Sequence, residues 1–543
     1  MTEQIKSQEW KKFILPAIIL AAIFILMEIV PSFVSMNKHE YGGKAIEKAV
    51  AEQRAMDFAK EQTGLQISSA KVVHQSNKLV TGYIAKEKLQ ESFEKKYDSQ
   101  FPTDTFQVNV NFADKMGHGF VYIHMYNEKI VGWNFSVIPV NKLGLDEQME
   151  AIQRFLLGGQ FNGTALNDEK FYNNGEWTAY PNGYSIGEAK LKLTARAESI
   201  NGQDVITNYK PEFIVPDDYK DYVKEQDTLA GWLTGVGYVL TSILLGILAI
   251  IYAILYRKHT SFKYGIVLTL FFFICYLIMN LSVMDGLIAS QGEEPMQEGM
   301  ILFTQIMTVI LAIPLAASVY ISIVAGDGLW KAQGRNLWPR LREPGYGNYV
   351  WRSMGLSYLF AIILLGLQPI LFFILEKLIG TWGASDVTMS PYNISVLWLM
   401  PVLAWAAAIM EEAVFRFFGI GLFRKWFRHT FAAAIFPTLF WALGHVLYPF
   451  YPSTTRLFEL MIIGLLFSFI FVRYGFITAM FTHAIFNSVA VGTSMIMVGT
   501  ATDIVSAVFF ILLPILIAFV LKIWSNKKGT NPPITTDRPL EQQ

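Results

Sequence analysis

Apolar residues form long unbroken runs near the start of the chain and through its second half, with short alternating stretches between them. The first run, residues 13–34, follows a polar head carrying Lys6, Lys11 and Lys12. At ~1.5 Å per residue it is long enough to cross a hydrocarbon layer of about 30 Å. It exceeds the apolar core of a typical signal peptide and no small-x-small site follows it, so a retained signal anchor is expected. Residues 36–227 mix both charges with Gly and Pro. Period-two alternation at 106–112, 119–126 and 130–138 predicts strands, and the pattern over 45–62 predicts a helix. Apolar runs return at 229–256, 264–287, 300–324, 354–374, 396–423, 431–447, 457–472, 476–498 and 504–524.

The pattern predicts a polytopic all-α membrane protein of about ten transmembrane helices, with an α+β soluble module inserted after the first. The expected divisions are an anchor (1–35), the module (36–227), helices two to four with a basic loop (228–349), an intramembrane core (350–525) and a polar tail (526–543). Lys and Arg concentrate in cytoplasmic loops. With the N-terminus inside, Arg257, Lys258 and Lys263, then Lys331, Arg335, Arg340, Arg342 and Arg352, then Arg424, Lys425 and Arg428, then Lys527 and Lys528 all fall on that side. Glu293, Glu294 and Glu298 fall on the other. Both termini are therefore expected in the cytoplasm and residues 36–227 outside it. The run 457–472 is short for a full span, and a re-entrant course there would reverse the parity downstream.

Composition sharpens this reading. Hydrophobic residues make up 53% and charged residues 16% of the chain, too apolar for an ordinary soluble protein. Lys and Arg (44) balance Asp and Glu (44), so no nucleic acid or other polyanionic partner is expected. The single cysteine, Cys275, lies in an apolar run and excludes an intramolecular disulfide, a multi-cysteine zinc site and an iron–sulfur cluster. Any metal would need His and carboxylate ligands.

Ionisable groups are costly in hydrocarbon, so those in the apolar runs are functional candidates. Among the histidines, His39, His74, His118, His124, His259 and His429 lie in the module or in basic loops, leaving His445 and His483 in apolar runs. Glu28, Asp285 and Glu459 sit near run ends, within reach of the interface. Glu411, Glu412 and Arg416 lie well inside 396–423. Glu412 and Arg416 are i,i+4 neighbours suited to an ion pair, while Glu411 points about 100° away around the helix. His483 and Asn487 share the same spacing and one helix face. Counted at ~1.5 Å per residue from the inner ends, Glu411 lies ~18 Å deep, His445 ~21 Å, His483 ~10 Å and Asn487 ~16 Å. All six can meet in one mid-membrane cavity.

Such a cluster has a bland reading, a buried polar clasp between helices, and two chemical ones. A carboxylate beside imidazoles can take a proton from water while His and Asn stabilise an oxyanion. Alternatively, Glu411, His445 and His483 are a ligand set for a divalent metal such as zinc with an open fourth position.

These residues resemble the CAAX prenyl endopeptidase and bacteriocin-processing group of intramembrane proteases, also called the Abi family. Glu411-Glu412-Ala-Val-Phe-Arg416 matches its Glu-Glu-x-x-x-Arg motif, Trp441-Ala-Leu-Gly-His445 its Phe-x-x-x-His motif with Trp for Phe, and His483-Ala-Ile-Phe-Asn487 its His-x-x-x-Asn motif. The resemblance covers roughly 350–524. It implies an all-helical membrane core and hydrolysis of peptide bonds near the C-termini of membrane-associated proteins or peptides. By position, Glu411 would activate water with His445 as its partner, Glu412 and Arg416 would support them, and His483 and Asn487 would hold the oxyanion. Members are often labelled metalloproteases, and a metal-free glutamate mechanism is also argued. The expected location is a bacterial cell membrane, with the bilayer, a membrane peptide or protein substrate and an extracytoplasmic partner of the module as contacts. The alternative is a non-catalytic membrane protein for peptide immunity, chaperoning or transport.

Gly183-Tyr-Ser185-Ile-Gly187 also fits a serine-hydrolase elbow. No His follows between His124 and the membrane region, so the match reads as accidental. Ser185-Ile-Gly-Glu188 reads instead as a capping box opening a helix over 188–200.

Overall fold

The computed structural model describes residues 7–38, 44–138, 140–159, 161–294 and 298–527. Expectations resting on Lys6, His39, Lys528, the tail beyond them and the Glu298 side chain lie outside the described residues. Within them, eight helices are long and apolar enough to cross a membrane, or nine if one bent pair is a single span. In chain order the membrane-region helices are α1 (Trp10–Val34), α2 (Asp217–Leu255), α3 (Ile266–Ser282, bent by 42° into Met284–Ser290), α4 (Gly299–Ala332), α5 (Tyr346–Ile379), α6 (Leu397–Phe427), α7 (Thr430–Leu443), α8 (Thr455–Tyr474), α9 (Phe476–Val498) and α10 (Ala501–Lys527).

The expected run at 431–447 is where the count of ten departs from the structure. The apolar sequence continues, but the helix stops at Leu443, and its 14 residues give only ~21 Å of rise. Beyond it the chain turns through Gly444 and His445. The suspected short span 457–472 is instead a continuous helix of 20 residues.

α5 is the central strut, packed against α1, α9 and α10. Glycine makes one of these approaches possible: a Cβ at Gly366 would fall 2.1 Å from the Leu20 carbonyl oxygen. Small residues at such crossings let backbones approach where no hydrophobic force drives helices together. α6 lies between α3, α4, α7 and α9, with α8 closing the group against α7 and α9.

The soluble module is built on one antiparallel sheet. Its strands are β1 (Ile67–Ser76), β2 (Asp104–Phe112), β3 (Gly117–His124), β4 (Ile130–Val137), β5 (Leu166–Phe171), β6 (Trp177–Pro181), β7 (Ser185–Ile186), β8 (Ala189–Ile200) and β9 (Gln203–Ile214). They run in the order β1-β2-β3-β4-β9-β8-β6-β5, with β7 on β8. The helix expected over 188–200 is therefore strand β8. Buried Ala189, Leu191, Leu193, Ala195 and Ala197 alternate with Lys190, Lys192, Thr194 and Arg196, a period of two that outweighs a local capping signal. Ser185 sits in the β7–β8 hairpin rather than at a strand-to-helix turn, which removes the elbow geometry. The helix Lys48–Thr63 covers the sheet through Ala51, Ala55 and Ala59.

The module is fastened to the membrane helices. α2 begins among its last residues and continues without a break into the apolar region. Asn393 is fully buried at the seam. Its side chain accepts from the His74 N–H (2.7 Å) and donates to the His74 and Val387 carbonyls (2.8 Å each). Lys71 neutralises Asp285 at 2.7 Å, so that acid belongs to the seam rather than to a lipid interface. Glu293 accepts from Tyr122 (2.8 Å) and Asn134 (2.7 Å). Tyr451, between α7 and α8, enters the module's own core.

The basic loops gather at the opposite end of the bundle. There Arg424 donates to Gln333 (2.7 Å), Arg335 to the Val472 carbonyl (2.5 Å) and the Phe476 N–H to the Leu337 carbonyl (2.9 Å).

Replacing Asn393 with Ala strands several buried backbone groups. The expected cost is about 2–4 kcal/mol of stability, measured by denaturant unfolding in detergent, with earlier proteolytic release of the module.

Candidate active site

The cluster forms where α6, α7 and α9 converge against the middle of α8, at Gly464 and Phe467. α6 is apolar from Val402 to Met410 and then widens into a π-type segment, Glu412–Ile420. Such widened turns recur at functional sites because they re-aim neighbouring side chains. Here the widening begins between the two carboxylates.

Glu412 turns inward and is fully buried, with Arg416 close to it: Nη1 lies 3.2 Å from Glu412 Oε1, and the two side chains are 1% and 0% exposed. None of the guanidinium nitrogens makes a well-aligned hydrogen bond, so charge attraction rather than hydrogen-bond geometry holds the pair. The Arg416 guanidinium also lies 4.1 Å from the Trp441 ring centroid and 5.5 Å from that of Phe467. Aromatic faces thus share in solvating the buried cation. The same Glu412 oxygen is 2.9 Å from His483 Nδ1. An ionised carboxylate only accepts, so Nδ1 carries the proton and Nε2 is turned away from Glu412.

That Nε2 faces Glu411, 3.6 Å from Oε2. His445 approaches from the other side, its Nε2 3.8 Å from Glu411 Oε1. His445 Nδ1 is 2.9 Å from the Trp441 carbonyl, one turn back in the chain, which fixes that nitrogen as the donor. Both imidazoles are therefore oriented from behind and present Nε2 to one carboxylate. Neither approach is a direct hydrogen bond, which leaves the Glu411 Oε1 lone pairs available. The Trp441 indole N–H donates to Glu411 Oε2.

Of the six residues singled out in the sequence, Glu411, Glu412, Arg416, His445 and His483 form one network. Asn487 does not join it. It is half-buried, one turn beyond His483, and makes no hydrogen bond among the described residues.

Trp441 is the residue the motif comparison undervalued. Sequence suggested only a large aromatic beside the site, whereas it contributes an indole donor to Glu411, a carbonyl to His445 and a ring face to Arg416. Gly464 of α8 makes room for it, since a Cβ there would fall 2.7 Å from the Trp441 ring.

Two further groups escaped sequence reading. Tyr448 stacks nearly parallel on His445, with centroids 5.9 Å apart and planes 9° apart. Arg456 lies over the Tyr448 ring at 5.3 Å and bonds Glu459 at 2.7 Å, while Gln368 donates to the same acid at 2.9 Å. Glu459 is thus fully buried and paired rather than at an interface. The Arg456–Glu459 i,i+3 spacing was a usable signal, but nothing local marks Tyr448.

The remaining described histidines have other settings. His74 Nε2 is 3.1 Å from Asp104 within the module, and His429 caps α7.

Glu411, His445 and His483 approach one another, but among the described residues no three His, Cys, Asp or Glu side chains are arranged to hold a metal ion. The Glu411 oxygen nearest His483 is already engaged by the indole of Trp441.

Residues 393–489, which include every side chain of this network, match the family model of type II CAAX prenyl endopeptidase Rce1-like proteins. This is the family that the three motifs resemble. No curated protein and no solved structure matches the chain.

Arg416→Met would leave Glu412 buried without a counter-charge and is expected to cost about 3–5 kcal/mol of stability. Glu411→Gln, with no fixed cation at direct contact, should leave the unfolding midpoint unchanged or raise it. Parallel unfolding curves in detergent check both.

Proposed function

We propose that this chain, carrying a type II CAAX prenyl endopeptidase-like domain, is an intramembrane endopeptidase of the glutamate type acting on membrane-associated proteins or peptides. The observation that supports this reading best is Glu411 itself. It is a nearly buried carboxylate in an apolar setting, with two imidazole Nε2 atoms and an indole N–H aimed at it, and it is excluded from the ion pair that neutralises its neighbour Glu412.

In the proposed reaction Glu411 Oε1 takes a proton from a water molecule whose oxygen adds to the scissile carbonyl carbon. His445 Nε2 faces the same oxygen and orients the attacking water. The motif assigns His483 and Asn487 to the tetrahedral oxyanion; because the His483 proton sits on Nδ1 toward Glu412, its neutral ring has no N–H at Nε2, and the donor assigned here is the Asn487 amide. The proton on Glu411 then passes to the leaving nitrogen as the C–N bond breaks, returning the carboxylate. No step passes through a metal. Trp441 keeps Oε2 engaged, so that Oε1 is the basic oxygen.

We infer from the basic loops that both termini face the cytoplasm and the module lies outside, in a bacterial cell membrane. The module would then meet an extracytoplasmic partner, and the substrate would reach Glu411 from within the bilayer.

Glu411→Gln should lower cleavage of membrane peptides by at least about 100-fold in purified enzyme that unfolds like the parent. Cleavage at the parental rate would overturn the mechanism. Trp441→Phe keeps the ring and removes the donor, and the expected fall in kcat is about 10- to 100-fold. Activity should survive dialysis against a chelator. Loss that zinc restores would favour a metal route instead.

A further inference from the structure

A cavity of about 440 Å³ lies at the basic-loop end of the bundle between α3, α5, α6, α9, α10 and the turn at Trp338–Leu341. It falls within the range of small-molecule sites, roughly 300–1,000 Å³. Its walls are almost entirely apolar, and Val267, one of them, is 76% exposed on the outer surface of α3. In a membrane-spanning bundle such a surface faces hydrocarbon, so the cavity is reached sideways from the lipid layer. Its inner wall includes Trp405 and Phe481, whose rings meet edge to face with centroids 6.2 Å apart. These residues stand six and two positions before Glu411 and His483 on the helices that carry the site.

Lys263 and Arg340 add charge to this lining. Lys263 is exposed, and its ammonium has no ion-pair partner among the described residues. Arg340 bonds Asp327 at 3.0 Å, but that carboxylate is also bonded by Lys331 at 2.7 Å, so the group keeps a net positive charge. An apolar slot open to lipid, bounded at the level of the basic loops by the unpaired Lys263 and by the net-positive Arg340–Asp327–Lys331 group, fits an amphiphile with an acyl chain and an anionic head. Basic pockets between membrane helices recognise anionic lipid headgroups in this way.

We propose that this cavity is a binding site for an anionic glycerophospholipid, one acyl chain lying against Val267, Phe271 and Phe481 and the phosphate near Lys263 and Arg340. The site is separate from the carboxylate–imidazole cluster and does not depend on its chemistry.

The test uses the full chain, purified in mild detergent and exhaustively washed. It is then mixed with micelles of phosphatidylglycerol or phosphatidylcholine, and retained lipid is quantified by mass spectrometry. About one phosphatidylglycerol per chain should be retained, with phosphatidylcholine at least about fivefold lower, as expected for one or more headgroup charges. Val267→Trp, which fills the slot from an exposed position, should reduce phosphatidylglycerol retention by at least about fivefold. Lys263→Gln, an exposed change with little bearing on folding, should remove most of the preference between the two lipids. Equal retention of both lipids by the parent protein would overturn the proposal. So would undiminished retention and preference in a folded Val267→Trp or Lys263→Gln protein.

Discussion

The candidate site depends on one ion pair that has no access to water. Arg416 is buried beside Glu412 among aromatic rings. Arg416 supplies the counter-charge to Glu412, whose Oε1 in turn accepts from His483 Nδ1. His483 then presents Nε2 to Glu411. Helical geometry turns the two adjacent carboxylates into different surroundings at the point where α6 begins to widen. One carboxylate is neutralised by a guanidinium, and the other is left facing imidazoles and an indole. Two neighbouring acids thereby acquire different partners.

Trp441 connects this pair to the rest of the network. Its ring covers Arg416, its indole reaches Glu411 and its carbonyl orients His445. The early end of α7 is equally necessary. Were the helix to continue through 444–447 as the apolar pattern suggests, His445 would remain on a helical face. Instead the chain turns, with the Tyr238 ring occupying the space that a Cβ on Gly444 would require. His445 then stacks on Tyr448, and the same stretch continues to Tyr451 in the module's core. The module and the site are thus joined by covalent chain as well as by the Asn393 seam.

Much of this was legible because membrane insertion makes polarity informative. Long apolar runs mark helices, and charges surviving within them mark candidates, so Glu411, Glu412, Arg416, His445 and His483 could be singled out before it was known that they meet. Spacing also gave the Glu412–Arg416 pair. Other features depend on long-range packing that no local pattern encodes. The three roles of Trp441 require α6, α7 and α8 to be in place, with Gly464 leaving space for the ring. Tyr448 is an aromatic among many, and the end of α7 packs at Gly444 against a tyrosine from α2. In the module, alternation correctly marked β2, β3 and β4. β8 was misread because a four-residue capping signal was given more weight than the twelve-residue alternation that follows it. Asn487 shows the opposite limit: shared spacing with His483 put it on the same helix face but did not bring it into the network.

The central claim, that Glu411 performs proteolysis within the membrane, is tested most directly by terminal peptide mapping of membrane proteins from cells producing either the parent protein or Glu411→Gln at equal levels. The account predicts a defined set of new termini in membrane-associated proteins that is present with the parent and absent with the variant. Identical sets of termini in both would contradict it.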